Sequence, residues 1–395
     1  MSNREVVILS GVRTAIGDYG GSLKDIPPSE LAAKVVREAL ARAKVDPKEV
    51  GQCVLGNVIH TEARDMYISR LAAVNGGLPH ESGALTVNRL CGSGLQAIVS
   101  ASQYILLGDT DAAIGAGAES MSRAAYASVT QRWGARMADS KMIDMMVGAL
   151  TDPFDTVHMG VTAENVAAQC KFNREVQDQF AVESHRRAAA AAAAGYFKDQ
   201  ILPIEIKSRK GSTFFDSDEH VKSDSTLDTM AKLKAVFQKE NGTVTAGNAS
   251  GINDAAAAIV LMDRSAAEKK GLKPLARLVA YGHAGVDPKV MGLGPVSAVK
   301  RALARAGLKV ADLDVIESNE AFAAQAIGVS KELGLDPKKV NPNGGAIALG
   351  HPIGATGVIL TIKALYELQR TNGRYALVTM CIGGGQGIAG IIERI

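Results

Sequence analysis

The sequence is poor in aromatic residues and in cysteine. Aromatic side chains make up 4% of the 395 residues, with a single tryptophan. The core must therefore be built from Ala, Val, Ile, Leu and Gly, as in α/β proteins with closely packed parallel sheets. The four cysteines are widely separated and form no Cys-x-x-Cys pair, which argues against structural zinc and thioredoxin-like chemistry. So few cysteines in a chain of this length fit a reducing compartment.

The net charge is also small, and long apolar runs are lacking. The formal net charge is only +3, which gives no reason to expect a nucleic acid partner. We find no apolar run that approaches the length of a membrane-spanning helix, so we expect no membrane association. The N-terminal residues lead directly into a strand-like segment at 6–9, without the apolar region of a signal peptide. These features predict a cytoplasmic protein.

What the sequence does contain is an alternation of strand-like and helical segments, which is typical of the α/β class. At 395 residues the chain is too long for one compact domain, so two domains or a duplicated one are expected. From 122 to 248 the composition and the residue pattern change: methionine becomes frequent, and the segment is predicted to be helical and polar. We interpret this stretch as an insertion over the α/β core that covers a ligand.

A short repeat indicates an internal duplication. The pentapeptide at 39–43 recurs identically at 302–306, and a strand-like segment follows each copy. The same offset of 263 residues carries Cys91 to Gly354, three residues after His351. A five-residue match between alanine-rich helices can arise by chance, but the matching order of elements favours duplication. A pseudo-twofold axis between the halves would bring Cys91 and His351 together.

The segment at 87–96 places Cys91 between an extended apolar run and a helical one. Gly92 and Gly94 leave no side chain over the sulfur. A thiol at a helix start lies near unpaired N–H groups and the positive end of the helix dipole, so we expect a lowered pKa and a reactive thiolate. The alternative is an ordinary packed cysteine, which for a lone cysteine is the commoner case.

Three polar segments of the second half, 318–322, 350–352 and 380–387, contain Asn319, His351 and Cys381. Each adjoins a strand-like run, as loops at the carboxyl ends of strands do. Taken singly they predict a turn asparagine, a loop histidine and a packing cysteine. With Cys91 they offer a nucleophile, a base, a second thiol and an amide.

The glycines at 385, 387 and 390 formally match the dinucleotide-binding fingerprint. Only five residues follow, and they are strand-like, so no helix can receive a pyrophosphate. We therefore predict that this segment binds no dinucleotide.

Taken in order, the Cys91 segment, Asn319-Glu320-Ala321-Phe322, Gly350-His351-Pro352 and Cys381-Ile382-Gly383 resemble the thiolases, or acyl-CoA acetyltransferases. The resemblance extends from Val6 to Ile395 and is closest to bacterial β-ketothiolases that supply polyhydroxyalkanoate precursors. It implies an α/β fold of duplicated βαβαβαββ halves in five layers, α-β-α-β-α, with an inserted loop domain. The implied division is 1–121 with 249–272, the loop domain 122–248, and 273–395.

The resemblance also implies a role for each site residue. Cys91 would be the nucleophile that carries the acyl group as a thioester. His351 would take its proton and keep it poised as a thiolate, and Cys381 would be the second acid/base, acting at the α-carbon of acetyl-CoA. Asn319 would hold a water that, with His351, stabilises the enolate oxygen. The backbone N–H groups of Cys91 and Gly383 would form a second oxyanion hole.

The implied reaction is the reversible condensation of acetyl-CoA with an acyl-CoA, or thiolysis of a 3-oxoacyl-CoA, on short to medium chains. Coenzyme A and acyl-CoA are then substrates, with no permanently bound cofactor, no metal, and a homotetramer as the assembly. The residues implied in CoA binding are Leu150, His158, Met159, Lys222, Ala246, Ser250 and Phe322. Lys222 stands where related enzymes often carry Arg, and a solvated surface lysine is the alternative there.

Two other functions fit parts of the pattern. Decarboxylating condensing enzymes share the nucleophilic cysteine but pair it with two histidines or with His and Asn, and Cys381 argues against them. A non-catalytic acyl-CoA-binding protein would not need Cys91, His351 and Cys381 together. Cys53 and Cys170 lack comparable surroundings, and we expect them to be structural.

Overall fold

A computed structural model describes residues 4–209 and 211–395. Its strands are β1 (Val6–Arg13), β2 (Gly17–Asp18), β3 (Val50–Gly56), β4 (Gly83–Val87), β5 (Ala112–Ser120), β6 (Tyr126–Ala127), β7 (Ile143–Asp144), β8 (Ile204–Ser208), β9 (Gly211–Phe215), β10 (Asn253–Asp263), β11 (Ala276–Gly285), β12 (Val315–Ser318), β13 (Tyr375–Ile382) and β14 (Gln386–Arg394). Its α-helices are α1 (Pro28–Ala43), α2 (Ile68–Gly76), α3 (Ser93–Leu107), α4 (Met145–Ala149), α5 (Met159–Cys170), α6 (Arg174–Ala193), α7 (Leu227–Ala231), α8 (Arg264–Lys269), α9 (Gly294–Ala306), α10 (Ala323–Leu333), α11 (Ala346–Leu349) and α12 (Ile353–Thr371).

The sequence locates the helices and strands more reliably than it locates the residues at which they begin and end. Ser29 has the residue type of an N-cap, so the sequence predicts that it caps the first helix. That prediction is wrong, because α1 already begins at Pro28 and Ser29 is buried within its first turn. Proline suits the first helical position, since its missing N–H would have no partner there.

The strands follow one another in the order β4-β3-β5-β10-β1-β11-β14-β13-β12. The halves meet at β1 and β11, which pair only through Val7 with Arg277 and Ile8 with Ala276. Read outward from this junction, the first half runs β1, β10, β5 and β3, and the second half runs β11, β14, β13 and β12. Each half therefore places its first strand at the junction and its last strand beside it. In the second half a single bridge between Ile316 and Val340 stands where the first half has β4. The shared order is that of the predicted duplication.

The short β1–β11 pairing joins the strands of the first half to those of the second, and we call these two sets the first and second sheets. The helices and these sheets form five layers. α1 packs on β1, β5 and β10 with α2 beside it, and α9 packs on β11, β13 and β14 with α10 beside it. Between the sheets, α3 and α12 pack on each other and on strands of both halves. The predicted α-β-α-β-α arrangement is confirmed, and its central layer consists of the two helices that follow Cys91 and His351.

One apolar segment departs from expectation. Residues Leu90–Leu107, which include α3, are long and apolar enough to cross a membrane by length and composition, and 56% of this window is buried inside the protein. The prediction that no run approaches this length is therefore wrong. The run is apolar because α3 lies between two sheets and is covered on opposite faces.

The region 122–248 contains β6 to β9 and α4 to α7. Its helix α6 packs on α10 and α11, and α5 packs on α10. The buried Arg13 side chain bonds to Asp218, with Nη1–Oδ1 at 2.7 Å, and so ties the region to the first half. After it, β10 rejoins the first sheet between β1 and β5. We propose to keep the division into 1–121 with 249–272, 122–248, and 273–395.

Candidate active site

Cys91 lies on a sharp turn between β4 and α3. The residue before it, Leu90, has a φ of +45°, a left-handed conformation that bulky side chains rarely adopt. The amide of Leu90 donates to Asn88 Oδ1 at 3.0 Å, and the hydroxyl of Ser93 donates to Leu90 O at 2.7 Å. These side-chain bonds hold the strained turn, which presents the cysteine at the start of the helix.

The surroundings of Cys91 are apolar. The half-buried side chain packs with Leu150 and Ile353, among others. Burial raises the pKa of the Cys91 thiol to about 11, although the backbone N–H groups of Gly383 and Cys91 act in the opposite direction. The expected lowered pKa is therefore wrong for the resting protein, because desolvation of the thiolate outweighs the helix start. Cys91 is a thiol at neutral pH.

The second thiol lies next to the last residue of β13. Cys381 is fully buried, and burial raises its pKa well above the ordinary value, with the neighbouring Cys91 sulfur adding to the effect. The chain then turns through Gly384 and Gly385, which have φ values of +80° and +84°, directly into β14. No helix follows this turn within the described residues, as we predicted when rejecting a dinucleotide site. The turn brings the Gly383 N–H to the Cys91 sulfur.

His351 and Asn319 form a second pair. The Nε2 atom of His351 lies 3.3 Å from Asn319 Nδ2, and its Nδ1 lies 2.7 Å from Thr356 Oγ1. The backbone N–H of His351 donates to Asn253 Oδ1 at 2.9 Å. Burial lowers the pKa of His351 to about 4, so the ring is neutral at pH 7 and can accept a proton. The Oδ1 atom of Asn319 is buried without a protein partner.

The structure brings these groups together at the N-terminal ends of the two central helices. Cys91, Gly383 and Cys381 are mutual neighbours, and Asn319 contacts His351. Ile353, two residues after His351, packs in the same apolar cluster as Cys91. The hydrogen bonds of the imidazole go to Asn319 and Thr356, and not to Cys91, in the resting arrangement.

Sequence reasoning missed Glu119. This fully buried carboxylate accepts the N–H of Gly354 at 2.8 Å, of Ile59 at 3.0 Å and of Val58 at 3.1 Å. Burial raises its pKa to about 8. Glu119 thus joins the start of α12 to the loop after β3. The only signal in the sequence is a charged residue near the end of the Ala/Gly-rich strand β5.

Family models match almost the whole chain. The thiolase N-terminal domain matches residues 6–265, and the thiolase C-terminal domain matches residues 272–394. The chain belongs to the thiolase family.

Curated relatives agree with this membership. The thiolase is 70% identical over 392 residues to the β-ketothiolase BktB of Cupriavidus necator, covering 99% of this chain and 100% of that protein. It is 48% identical over 391 residues to an acetyl-CoA acetyltransferase of Paracoccus denitrificans, covering 99% of each.

Solved structures show the same fold. Bacillus anthracis acetyl-CoA acetyltransferase superposes with a TM-score of 0.97 at 44% identity, covering 99% of each chain. Human mitochondrial 3-ketoacyl-CoA thiolase in complex with CoA superposes with a TM-score of 0.96 at 43% identity, covering 99% of this chain and 98% of that chain.

Several residues predicted to bind CoA lie near the thiols of this thiolase. Leu150 shares an apolar cluster with Cys91, while Met159 and Phe322 share one with Cys381. A Cβ atom at Gly383 would lie 2.9 Å from the Met159 methyl carbon, so glycine lets this methionine pack against the turn.

Phe237 was not predicted as a site residue, but its ring contacts two residues that were predicted to bind CoA. The His158 ring stacks on Phe237, with centroids 4.7 Å apart and planes 17° from parallel. Phe237 in turn meets the edge of Phe322 at 6.3 Å. These three rings form an aromatic wall beside the Cys381 cluster, which suits a channel with apolar walls.

The remaining predicted CoA residues lie in two places. Ser250 donates its backbone N–H to Ala321 O at 3.0 Å, directly beside Phe322. Lys222 and Ala246 line a separate cavity of about 210 Å³. The Lys222 N–H donates to His185 Nδ1 at 3.1 Å, and its side chain is exposed. A role for these residues in CoA binding stays a prediction.

Proposed function

We propose that this thiolase is an acyl-CoA C-acetyltransferase that condenses acetyl-CoA with an acyl-CoA, and cleaves 3-oxoacyl-CoA with CoA, through an acyl thioester on Cys91. One observation carries the proposal: the Cys91 and Cys381 thiols are neighbours at the helix starts where Asn319 pairs with His351. The two relatives named β-ketothiolase and acetyl-CoA acetyltransferase support it. Coenzyme A and acyl-CoA enter as substrates.

In the first step the Cys91 sulfur forms a bond to the thioester carbonyl carbon of acyl-CoA. Because the pKa of this thiol is about 11, its proton passes to the neutral His351 as the bond forms. The carbonyl oxygen becomes an oxyanion and accepts the N–H groups of Cys91 and Gly383. When the bond to the CoA sulfur breaks, the leaving thiolate takes a proton from Cys381.

The second step uses the thiolate left on Cys381. It removes the α-proton of acetyl-CoA, and the resulting enolate carbon attacks the acyl carbon on Cys91. The Cys91 sulfur leaves with the electron pair and regains its proton from His351. The unpartnered Oδ1 of Asn319 supports a water at that point, which would donate to the enolate oxygen.

The range of acyl chains, the assembly and the compartment belong to the same proposal. We infer short to medium chains, a homotetramer and a cytoplasmic location. The loop domain supports the assembly, because Trp133 and Met137 are 90% and 92% exposed, and Val129 is exposed as well. Three large apolar residues exposed within nine positions of one segment would be covered by contact with another copy of the chain.

Acylation of the purified protein tests the function directly. After incubation with acetyl-CoA, peptide mass spectrometry is expected to find an acetyl group on Cys91, and excess CoA is expected to remove it. Cys91→Ala should lose the adduct, whereas Cys53→Ala, a matched change at a buried structural cysteine, should keep it. An unmodified protein that still binds acetyl-CoA would instead support a non-catalytic acyl-CoA-binding protein.

A further inference from the structure

The His351 ring has a hydrogen-bond partner at each nitrogen. Nε2 faces the amide nitrogen of Asn319 at 3.3 Å, and Nδ1 faces the hydroxyl of Thr356 at 2.7 Å. A neutral imidazole carries its proton on one nitrogen only, and the partner of the other nitrogen decides which one. In many catalytic sites a carboxylate makes this choice. Here a neutral hydroxyl occupies that place.

Thr356 lies in the first turn of α12, where its side chain reaches back along the helix. Its Oγ1 is 3.0 Å from Pro352 O, in the geometry of a hydroxyl that donates to the carbonyl four residues earlier. A hydroxyl has one hydrogen. Once that hydrogen points at Pro352 O, the oxygen can only accept from Nδ1 of His351, so Nδ1 must carry the ring proton.

The opposite side of the ring agrees with this assignment. Asn319 presents Nδ2, a donor, towards Nε2, so Nε2 accepts this hydrogen bond and carries no proton. Every donor in the chain Asn319, His351, Thr356, Pro352 then meets an acceptor. The buried carboxylate of Glu119 is engaged by backbone N–H groups, including that of Gly354.

We propose that Thr356 is a positioning residue, which holds His351 with its proton on Nδ1 and so keeps Nε2 ready to take the proton of Cys91. The inference rests on the proposed function, in which His351 is the base. It adds a reason why α12 begins where it does: the first turn of the helix carries the hydroxyl that orients the base two residues before the helix. Substrate does not need to contact Thr356 for this role.

The test compares three single variants of the full-length protein. Thr356→Val keeps the shape of the side chain and removes the hydroxyl, whereas Thr356→Ser keeps the hydroxyl. Thr361→Val is the matched control, because Thr361 is also buried in α12 and its hydroxyl donates to Gly357 O at 2.7 Å without contacting His351.

We expect Thr356→Val to lower kcat for thiolysis, and the rate of Cys91 acetylation, by about a hundredfold, while KM for CoA changes little. Thr356→Ser is expected to restore most of the rate, and Thr361→Val to leave it unchanged. The proposal is overturned if Thr356→Val keeps full activity, if Thr356→Ser is as impaired as Thr356→Val, or if Thr361→Val is equally impaired, since the last result would show a packing effect.

A spectroscopic measurement separates this inference from the proposed function. ¹⁵N-histidine labelling of the seven histidines, with His351→Asn used for assignment, reports which ring nitrogen carries the proton. A protonated Nδ1 that moves to Nε2 in Thr356→Val supports the inference, and a proton on Nε2 in the unsubstituted protein overturns it. Absence of thiolysis in the unsubstituted protein would instead overturn the proposed function, whatever the tautomer.

Discussion

Gly94 and Gly357 lie against each other where α3 and α12 cross. A Cβ atom at Gly94 would lie only 3.0 Å from the backbone nitrogen of Gly357. The two positions are 263 residues apart, the same offset as the repeated pentapeptide. Equivalent positions of a duplicated fold touch only near the axis that relates the halves. This contact therefore marks the pseudo-twofold axis, and it sets the distance between the helix starts that follow Cys91 and His351.

A side chain at this crossing should separate the central helices. In Gly357→Ala the new methyl group would clash with the backbone nitrogen of Leu95, which cannot rotate away. We expect the free energy of unfolding to fall by about 3 kcal/mol, together with a loss of thiolysis. Denaturant unfolding and kcat measure both effects. Gly148→Ala in α4 is the control, because nothing lies within 4 Å of its added Cβ, and equal losses in the two variants would contradict the prediction.

The raised pKa of Cys91 predicts a steep pH dependence of alkylation. Only the thiolate reacts with iodoacetamide, and with a pKa of about 11 its fraction rises about tenfold for each pH unit between 7 and 10. Mass spectrometry of the modified peptide should follow this rise, and acetyl-CoA should protect the site. Cys53, whose pKa burial raises to about 12, should stay unmodified in the folded protein. A rate that is already constant near pH 7 would mean that Cys91 rests as a thiolate.

Cys381→Ser should separate the two chemical steps. The serine hydroxyl cannot supply a thiolate-like base, so exchange of the acetyl-CoA α-protons into deuterated water is expected to fall by at least about a hundredfold. Acetylation of Cys91 should still occur, because its attack uses His351 and the N–H groups of Cys91 and Gly383, and the leaving CoA thiolate can take its proton from water instead of from residue 381. Undiminished proton exchange in this variant would remove Cys381 from the mechanism.

Lys222 tests the weakest part of the CoA assignment. If its ammonium contacts a CoA phosphate, Lys222→Ala should raise KM for CoA by about fivefold or less, because the side chain is exposed. The increase should shrink at high salt, since the contact is electrostatic. Lys300→Ala, at an exposed lysine on α9, is expected to leave KM unchanged. If both variants leave KM unchanged, Lys222 is a solvated surface lysine.

The duplication and the four site residues could be read from sequence because each rests on a local pattern. The pentapeptide repeat indicated a duplication. A pseudo-twofold axis between the duplicated halves then predicted that Cys91 and His351 lie close together. Thr356 was visible only as part of a glycine-rich helix start, because its contact with His351 depends on a side-chain rotamer. Phe237 carried no signal at all, since its partners His158 and Phe322 are distant in sequence.

Sequence by itself determined the family, the α/β class and the order of elements, and it supplied the groups that we propose to react, because residue type and spacing carry that information. The tertiary structure alone decided how those groups are tuned. The apolar neighbours of Cys91 come from separate segments, among them Leu150 and Ile353, and their combined desolvation outweighs the helix start. The solvation of a group depends on everything that surrounds it in space, and no single stretch of the sequence specifies those surroundings.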